Sequence, residues 1–597
     1  MVGINKGINA IYKWMLSVFG IVILGVIFAI SFICTCYRAS DSNEVTFFCQ
    51  DNIFKNLIFI LLFFSVIIVF EKTGLWRKYK DKIENDSIFC KAKKILLLVV
   101  FIVSACWVLM TQYVPGSDQM DVVQCAYKLY AGETNMLEPG GYLDKWTNQA
   151  GIVVIDYFLA RIWGDFNITA FQILNAVGLT LIYKKMTDIM DDFGASKSSQ
   201  FLTLLSALGF VPMIMYTSFV YGTIWHVTLS LMAFSQEYRF IKDGKWWRII
   251  LSAISIALAI QVKNNALIFL VAMVIYLLIN MLTDRESVLK KAVFLICTSL
   301  VVILFAKFPG YFIEQKTGYS LDQGVSSWAF VAMGLQESEY PPGWWNGYNN
   351  QTYAESGYNT EIEAQMAKEE IASLLDEYAT NKKHAISFFS GKIASMWAEP
   401  TYQCIWINQI RNHRVILPKW IENLMTAEGY TKIANKMDYM QLLLYLIPIL
   451  WLLLVKGEDF NKKSFFLLVF VGGFLFHIAW EAKTQYSVTY SMLLLPYCAM
   501  GVDCIFDKAE NAEYKINNPL LVVFIISIIG FIIAYRYSST DCLTSDGDIY
   551  TVYLSTWEEP YTNESVLDIN TMKVYNEDYQ NMIIYLEHVL EENGIGY

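Results

Sequence analysis

The sequence is poor in charged residues. Only 17% of its 597 residues are Asp, Glu, Lys or Arg, whereas 55% are hydrophobic and 15% are aromatic. About a quarter of the residues of an ordinary soluble domain are charged, so this composition excludes that class. The net charge of -10 also gives no electrostatic footprint for nucleic acid, and we expect no nucleic-acid partner.

Histidine and paired cysteine are scarce as well. The five histidines form no cluster with metal-ligand spacing, so we expect neither a metal nor another cofactor. The eleven cysteines are scattered without a CxxC pair. Cys34 or Cys36 either pairs with Cys49 or stays reduced, and the sequence leaves both open. The chain also lacks the repeated halves that many transporters show.

Long apolar runs dominate what is present. Each is long enough to cross the hydrocarbon core of a bilayer as a helix, and the first run lacks the cleavage site of a signal peptide. The sequence therefore predicts an all-α polytopic membrane protein. About thirteen spans are expected, near residues 11–33, 53–70, 94–112, 167–183, 201–217, 223–241, 247–261, 264–282, 291–307, 439–455, 464–480, 484–502 and 519–535.

The basic residues predict an orientation. The connection "EKTGLWRKYKDKIENDSIFCKAKK" between the second and third spans carries eight lysines and arginines. Short basic connections stay in the cytoplasm. We therefore expect a multi-pass cell-membrane protein with a cytoplasmic N-terminus and an extracellular C-terminus. Its frequent Ile, Lys, Asn and Tyr residues favour a bacterial origin.

The pattern of spans and polar stretches suggests five parts. The loop 114–167 of the second part contains two short apolar helices, which we expect to lie at the membrane interface. The expected parts are two extra N-terminal spans with a basic cytoplasmic loop (1–93), a core of spans (94–307), a mixed outer segment (308–438), the last spans (439–535) and an outer acidic tail (536–597).

Two carboxylates follow the third span in "YVPGSDQMDVVQ". Asp118, placed at the outer end of the bundle, could act as a general base that takes the proton of an attacking hydroxyl. Alternatively, it caps the helix that follows, because aspartate is a favoured cap. Asp121 is a second catalytic candidate, or else it lies on the solvated face or binds an acceptor.

Three lysines could hold a phosphate at the same end. Lys145 lies in "YLDKWTN", Lys263 interrupts two apolar runs in "AIQVKNNALIFL", and Lys483 lies in "HIAWEAKTQY". Fixed ammonium groups stabilise the charge that develops on a leaving phosphate. The alternative is that each lysine at a helix end only extends its ammonium to water.

Acidic and aromatic residues complete the candidate site. In "HIAWEAKTQY", Glu481 and Tyr486 are possible substrate contacts, whereas His477 is expected to be a packing residue. Trp344 and Trp345 in "PPGWWNGYNNQTY" have the composition of a sugar-stacking surface. An aromatic belt at the membrane interface uses the same residues, and the sequence does not separate the two.

These motifs resemble those of the GT-C superfamily of membrane glycosyltransferases. The acid just beyond a span, the loop "GYLDKWTNQAGIVVIDYFLARIWGDFNITAFQILNAV" and "WEAKTQY" are similar to glycosyltransferase family 39, which includes protein O-mannosyltransferases and aminoarabinose transferases. The resemblance covers roughly Lys94 to Lys307 and the last spans. It departs at Gln485, where the family's closing motif commonly has arginine, and at Asp121, because the family often has an adjacent acidic pair.

The resemblance implies an inverting transfer without a metal. A sugar would pass from a polyprenyl-phosphate donor to a glycan, lipid or protein acceptor among the membrane lipids. Asp118 would be the base, and Lys145, Lys263 and Lys483 would bind the donor phosphate.

Two other functions fit a polytopic protein. One is a flippase or exporter of lipid-linked sugars, and buried charges at mid-membrane are typical of such transporters. The other is a polymerase of the O-antigen type, but its outer loops are typically rich in arginine, which is scarce in 308–438.

Overall fold

The computed structural model describes residues 2–38, 44, 46–163, 167–284, 287–321, 324–409, 413–455, 457–511 and 516–538. These residues are nearly all helical, which confirms the predicted all-α class. From residue 539 onward, the predicted acidic tail lies outside the described residues.

The N-terminal part adds a hairpin that the sequence did not predict. Its strands pair antiparallel with Cys34 opposite Gln50, and Cys36 N–H donates to Ala398 O at 2.9 Å. The N-terminal part is therefore joined to the outer segment. Its elements are α1 (Val2–Ile33), β1 (Cys34–Arg38), β2 (Thr46–Gln50), α2 (Ile53–Lys72), α3 (Leu75–Ile83) and α4 (Asp86–Thr111).

The first helix is not a peripheral addition. Ile21, Leu24 and Ile27 of α1 are fully buried and belong to the main hydrophobic core. In contrast, Leu61 and Leu62 of α2 are exposed, as expected for side chains that face lipid. Only the second helix of the predicted pair thus lies at the periphery.

The described residues of the central part contain ten α-helices. They are α5 (Asp118–Ala131), α6 (Tyr142–Lys145), α7 (Ala150–Trp163), α8 (Ile168–Asp192), α9 (Lys197–Gly209), α10 (Val211–Met215), α11 (Trp225–Asp243), α12 (Trp247–Val262), α13 (Ala266–Thr283) and α14 (Val288–Thr317). Helices α5 and α7 share a small apolar core that includes Val122, Leu129 and Val153. The chain bends by 114° between α7 and α8, and the interfacial position of the two short helices of this loop stays a prediction.

The outer segment is helical rather than mixed, and its neighbours α14 and α21 extend beyond the predicted boundaries. Its helices are α15 (Ser327–Gly334), α16 (Tyr348–Glu355), α17 (Thr360–Thr380), α18 (Lys382–Trp397), α19 (Cys404–Gln409) and α20 (Lys419–Met425). The last helices are α21 (Ala427–Leu454), α22 (Gly457–Lys463), α23 (Phe465–Ala479), α24 (Thr484–Met492), α25 (Leu495–Asn511) and α26 (Asn518–Ser538).

The structure supports seven to ten membrane spans within the described residues, so the count of thirteen is not confirmed. Seven helices are long and apolar enough to cross alone, and three further predicted spans are bent pairs: α7 with α8, α9 with α10, and α24 with α25. The remaining three correspond to α11, which carries charged residues, and to α12 and α23, which are 16 and 15 residues long. By length and composition, these three helices do not qualify as membrane spans.

Buried amides fix the first outer loop to the bundle. The Gln119 amide donates to Tyr113 Oη at 2.8 Å, and its carbonyl accepts the Val220 N–H at 2.8 Å. The Gln172 amide of α8 donates to Tyr113 O at 3.0 Å and to Ser218 O at 2.9 Å. Leaving such groups unpaired inside a protein costs about 1–3 kcal/mol each. These bonds therefore hold the start of α5 against α8 and the turn before α11.

The opposite end of the bundle carries ion pairs. Lys93 of α4 pairs with Asp188 of α8 at 2.9 Å, and Arg239 of α11 pairs with Asp192 at 2.7 Å. The two ends thus differ in chemistry: buried amides and aromatic rings at one, basic side chains at the other.

Candidate active site

Four of the predicted residues meet where several helices end. Asp118 opens α5, Lys263 follows α12, and Glu481 and Tyr486 lie on either side of the start of α24. The charge of Asp118 influences the pKa of both Lys263 and Glu481, which places the three groups in one electrostatic environment. Chain segments far apart in sequence therefore build a single site.

The Lys263 ammonium rests on aromatic rings. Its Nζ lies 5.3 Å from the ring centre of Tyr221 and 5.7 Å from that of Tyr486, and it donates to Thr223 Oγ1 at 3.2 Å. Burial lowers its pKa to about 8, an effect that the negative charge of Asp118 partly offsets. Rings and a hydroxyl stabilise a cation without neutralising it. The site can therefore offer its positive charge to an anion.

A glycine allows this cluster to form. Gly222 has a φ of +44°, and a Cβ at this position would lie 2.4 Å from Val262 O. Both the left-handed conformation and the contact require glycine. The turn that carries Tyr221 and Thr223 can consequently touch the end of α12, where Lys263 begins the next connection.

The two acids of the first outer loop occupy different environments. Asp118 is exposed and stands at the first helical position, after Ser117 at the N-cap position. Asp121 is partly buried, and burial together with the charge of Asp118 raises its pKa to about 7, whereas Lys145 and Lys128 act in the opposite direction. Asp121 is thus partly protonated near neutral pH, and Lys145 belongs to the acidic side of the site.

Glu481 and His477 support Tyr486. Burial raises the pKa of Glu481 to about 7, with Lys483 opposing the shift, and Tyr486 Oη donates to its Oε1 at 3.4 Å. The His477 ring stacks on Tyr486 at 5.4 Å, and its Nδ1 lies 3.0 Å from Glu481 O. His477 is therefore a packing residue, as predicted.

The third candidate lysine has a different neighbour. Lys483 Nζ forms an ion pair with the Glu44 carboxylate, just before β2. The three predicted lysines therefore do not share one position: Lys263 lies on the tyrosines, Lys145 lies beside Asp121, and Lys483 faces the N-terminal hairpin.

Lys392, which sequence reasoning missed, holds the connector 480–483 in place. This buried lysine of α18 donates to Gly334 O, to Ile478 O at 3.0 Å and to Trp480 O at 2.9 Å. Its ammonium thereby caps the carboxyl ends of α15 and α23. Burial lowers its pKa to about 7, with Glu481 opposing the shift.

A backbone contact completes this arrangement. Ala482 N–H donates to Gly343 O at 2.8 Å. Gly343 has a φ of +74°, and a Cβ there would lie 2.5 Å from Gly334 O. The connector, α15 and the loop before α16 therefore pack backbone to backbone.

The two predicted tryptophans differ in accessibility. Trp344 is only 2% exposed, its indole N–H donates to Ser395 Oγ at 3.0 Å, and the Arg38 guanidinium covers its ring at 4.0 Å. Trp345 is 44% exposed. Of the pair, Trp345 presents the open ring that stacking on a sugar needs.

Comparison with known proteins gives no family for this chain. No protein-family model matches it, and a search of curated proteins found no match. Among the described residues, no group of three or more His, Cys, Asp or Glu side chains could hold a metal ion.

The close approach at Gly222 can be tested by substitution with alanine. Gly222→Ala should lower thermal stability in detergent more than Gly194→Ala does, because only the first Cβ meets another backbone. Gly194 has a φ of +73° with nothing within 4 Å, so its substitution carries only the cost of a left-handed alanine, about 1–2 kcal/mol. Equal losses in the two variants would show that the contact with Val262 O is unimportant.

A control variant can separate the specific role of Lys392 from the general effect of replacing a buried lysine. Lys392→Leu should destabilise the protein by about 1–3 kcal/mol or more, because buried carbonyls lose their donor. By displacing Glu481 it should also reduce the sugar-transfer activity proposed below. Lys291 is a matched control, since it is 1% exposed and donates to Asn280 O at 3.1 Å and Asp284 O at 3.1 Å at the opposite end. Lys291→Leu should destabilise without a specific loss of activity. Full activity per folded Lys392→Leu molecule would contradict this role.

Proposed function

We propose that the protein is a membrane glycosyltransferase that moves a sugar from a polyprenyl-phosphate donor to a hydroxyl-bearing acceptor. One observation carries the proposal: an exposed carboxylate, Asp118, lies in the electrostatic reach of an incompletely neutralised ammonium, Lys263. An inverting transfer from a phosphate-linked sugar needs one base for the acceptor and one cation for the leaving phosphate. The site provides both.

The roles follow from the chemistry. Asp118 accepts the proton of the acceptor hydroxyl while its oxygen forms a bond to the anomeric carbon. The bond from that carbon to the phosphate oxygen breaks, and the leaving phosphate keeps the electron pair. Lys263 stabilises the phosphate charge, and Tyr221 and Tyr486 hold the lysine in position. Asp121 and Lys145 lie beside Asp118 on the acidic side of the site.

The distribution of basic residues supports an outward-facing site. Lys93 and Arg239 lie at the end of the bundle opposite Asp118, and basic residues favour the cytoplasmic side. The isoprenoid tail of a donor can reach the site through the bilayer, because α14 exposes Leu300 and Leu304 and α23 exposes Leu475.

A flippase for lipid-linked sugars is the alternative. Glu237 of α11 is 1% exposed, and its Oε1 has no hydrogen-bond partner. A buried acid within a helical bundle is typical of a transport pathway. Transport would depend on Glu237, whereas sugar transfer depends on Asp118.

Substitution of the base is the decisive test. Asp118→Asn should reduce transfer by about 100- to 10,000-fold, the usual contribution of a general base, with unchanged donor binding. The purified protein would be incubated with a panel of polyprenyl-phosphate sugars and membrane extract, and the label followed. Glu133→Gln, which alters an exposed acid just beyond the other end of α5, is the control. Wild-type transfer by Asp118→Asn would refute the assignment.

Donor binding should depend on pH through Lys263. Its folded pKa is about 8, so its charge is present below pH 8 and is lost as pH rises through that value. Affinity for a short-chain isoprenyl-phosphate hexose should therefore fall by up to about tenfold between pH 7 and 9. The phosphate diester keeps one negative charge throughout this range.

Lys263→Arg isolates this effect. Arginine stays protonated to a pKa above 12, so this variant should retain its affinity above pH 8. Asp121 and Glu481, each with a pKa of about 7, titrate in both proteins. The difference between the two pH profiles consequently reports on Lys263 alone. Superimposable profiles measured by isothermal titration calorimetry would remove Lys263 from the donor site.

A further inference from the structure

The ion pair between Lys483 and Glu44 is part of a larger polar cradle. The two Glu44 oxygens face different donors: Oε1 accepts from the Lys483 ammonium, and Oε2 accepts from the Gln403 amide at 3.2 Å. The Gln403 carbonyl in turn accepts the Gln485 N–H at 3.2 Å. Gln403 is fully buried, and both charged groups are mostly shielded, with side-chain exposures of 20% for Lys483 and 17% for Glu44.

A buried arginine lies directly behind this cradle. Arg38 is 0% exposed, and its Nη1 donates to Glu44 O and its Nη2 to Thr484 Oγ1, each at 2.9 Å. Its Nη1 also donates to Thr46 Oγ1, whereas its Nε is buried without a hydrogen-bond partner. A guanidinium with an unused donor in a shielded place is costly unless another group can use it.

Glu44 is the carboxylate that holds the cradle together. It forms the ion pair with Lys483 and accepts from the Gln403 amide. If the Glu44 side chain turns away, the Lys483 ammonium and the Gln403 amide lose this acceptor. A phosphate or carboxylate from a ligand can then accept the same Lys483 and Gln403 donors.

We propose that Lys483, Gln403 and Arg38 form an anion-binding subsite in which Glu44 takes the place of an anionic group of the acceptor until the acceptor binds. This inference rests on the proposed function, in which Lys263 holds the donor phosphate. The cradle adjoins the candidate active site, because the charges of both Lys483 and Glu44 influence the pKa of Glu481. The acceptor is accordingly a molecule that carries a phosphate or carboxylate near its reactive hydroxyl.

Binding of inorganic phosphate to the full-length protein in detergent tests the subsite. Glu44→Gln removes the internal competitor, so phosphate should bind roughly tenfold more tightly, the equivalent of one hydrogen bond to a charged group. The gain should disappear in Glu44→Gln/Lys483→Met. Glu428→Gln is the matched control. Glu428 forms an exposed ion pair with Lys432 on α21 and is not part of the cradle, so its substitution should leave phosphate binding unchanged.

The outcomes separate the alternatives. Unchanged or weaker phosphate binding by both Glu44→Gln and Glu44→Ala would show that Glu44 only positions Lys483, and would overturn the proposal. A gain that survives in Glu44→Gln/Lys263→Met supports an acceptor subsite, whereas loss of the gain there would mean that the two lysines share the donor phosphate. Transfer by Asp118→Asn tests the proposed function independently, because phosphate binding does not require the base.

Discussion

The site depends on keeping an ammonium charged while it is partly removed from water. Desolvation disfavours the charged form of Lys263. A carboxylate in direct contact would favour the charged form, but it would also neutralise the charge that the site has to offer. The protein instead surrounds Nζ with the faces of Tyr221 and Tyr486 and the hydroxyl of Thr223. Asp118 is near enough to favour the charge, and it remains exposed.

The surrounding structure also provides hydrogen-bond partners for the backbone groups of helix ends that lie away from bulk water. Helices stop and start around the site, and their unpaired backbone groups need partners. Side chains provide several of them: Gln172 binds two carbonyls, and Lys392 binds three. The same bonds that stabilise the helix ends thus determine where Asp118 and Glu481 lie.

Sequence patterns predicted the helical class and singled out Asp118, Lys263, Glu481 and Tyr486, which the structure brings together. Polar residues that interrupt apolar runs give a local signal, and helix ends on one side of a bundle come together. The number of spans was harder to predict from the sequence, because α12 and α23 are apolar but short. Glu44 and Lys392 could not be found in this way, since their partners are distant in sequence and leave no local pattern.

The backbone packing of Gly343 against Gly334 and Ala482 has a consequence for how such a protein can diversify. The outer segment 308–438 carries Gly343 and the exposed Trp345, and the connector 480–483 carries Glu481 and Lys483. Since the two meet through carbonyl and amide groups and a glycine that tolerates no Cβ, neither can change its course alone. A chimera that exchanges the outer segment for another would have to bring the matching connector with it, so the two segments can be exchanged only as one module.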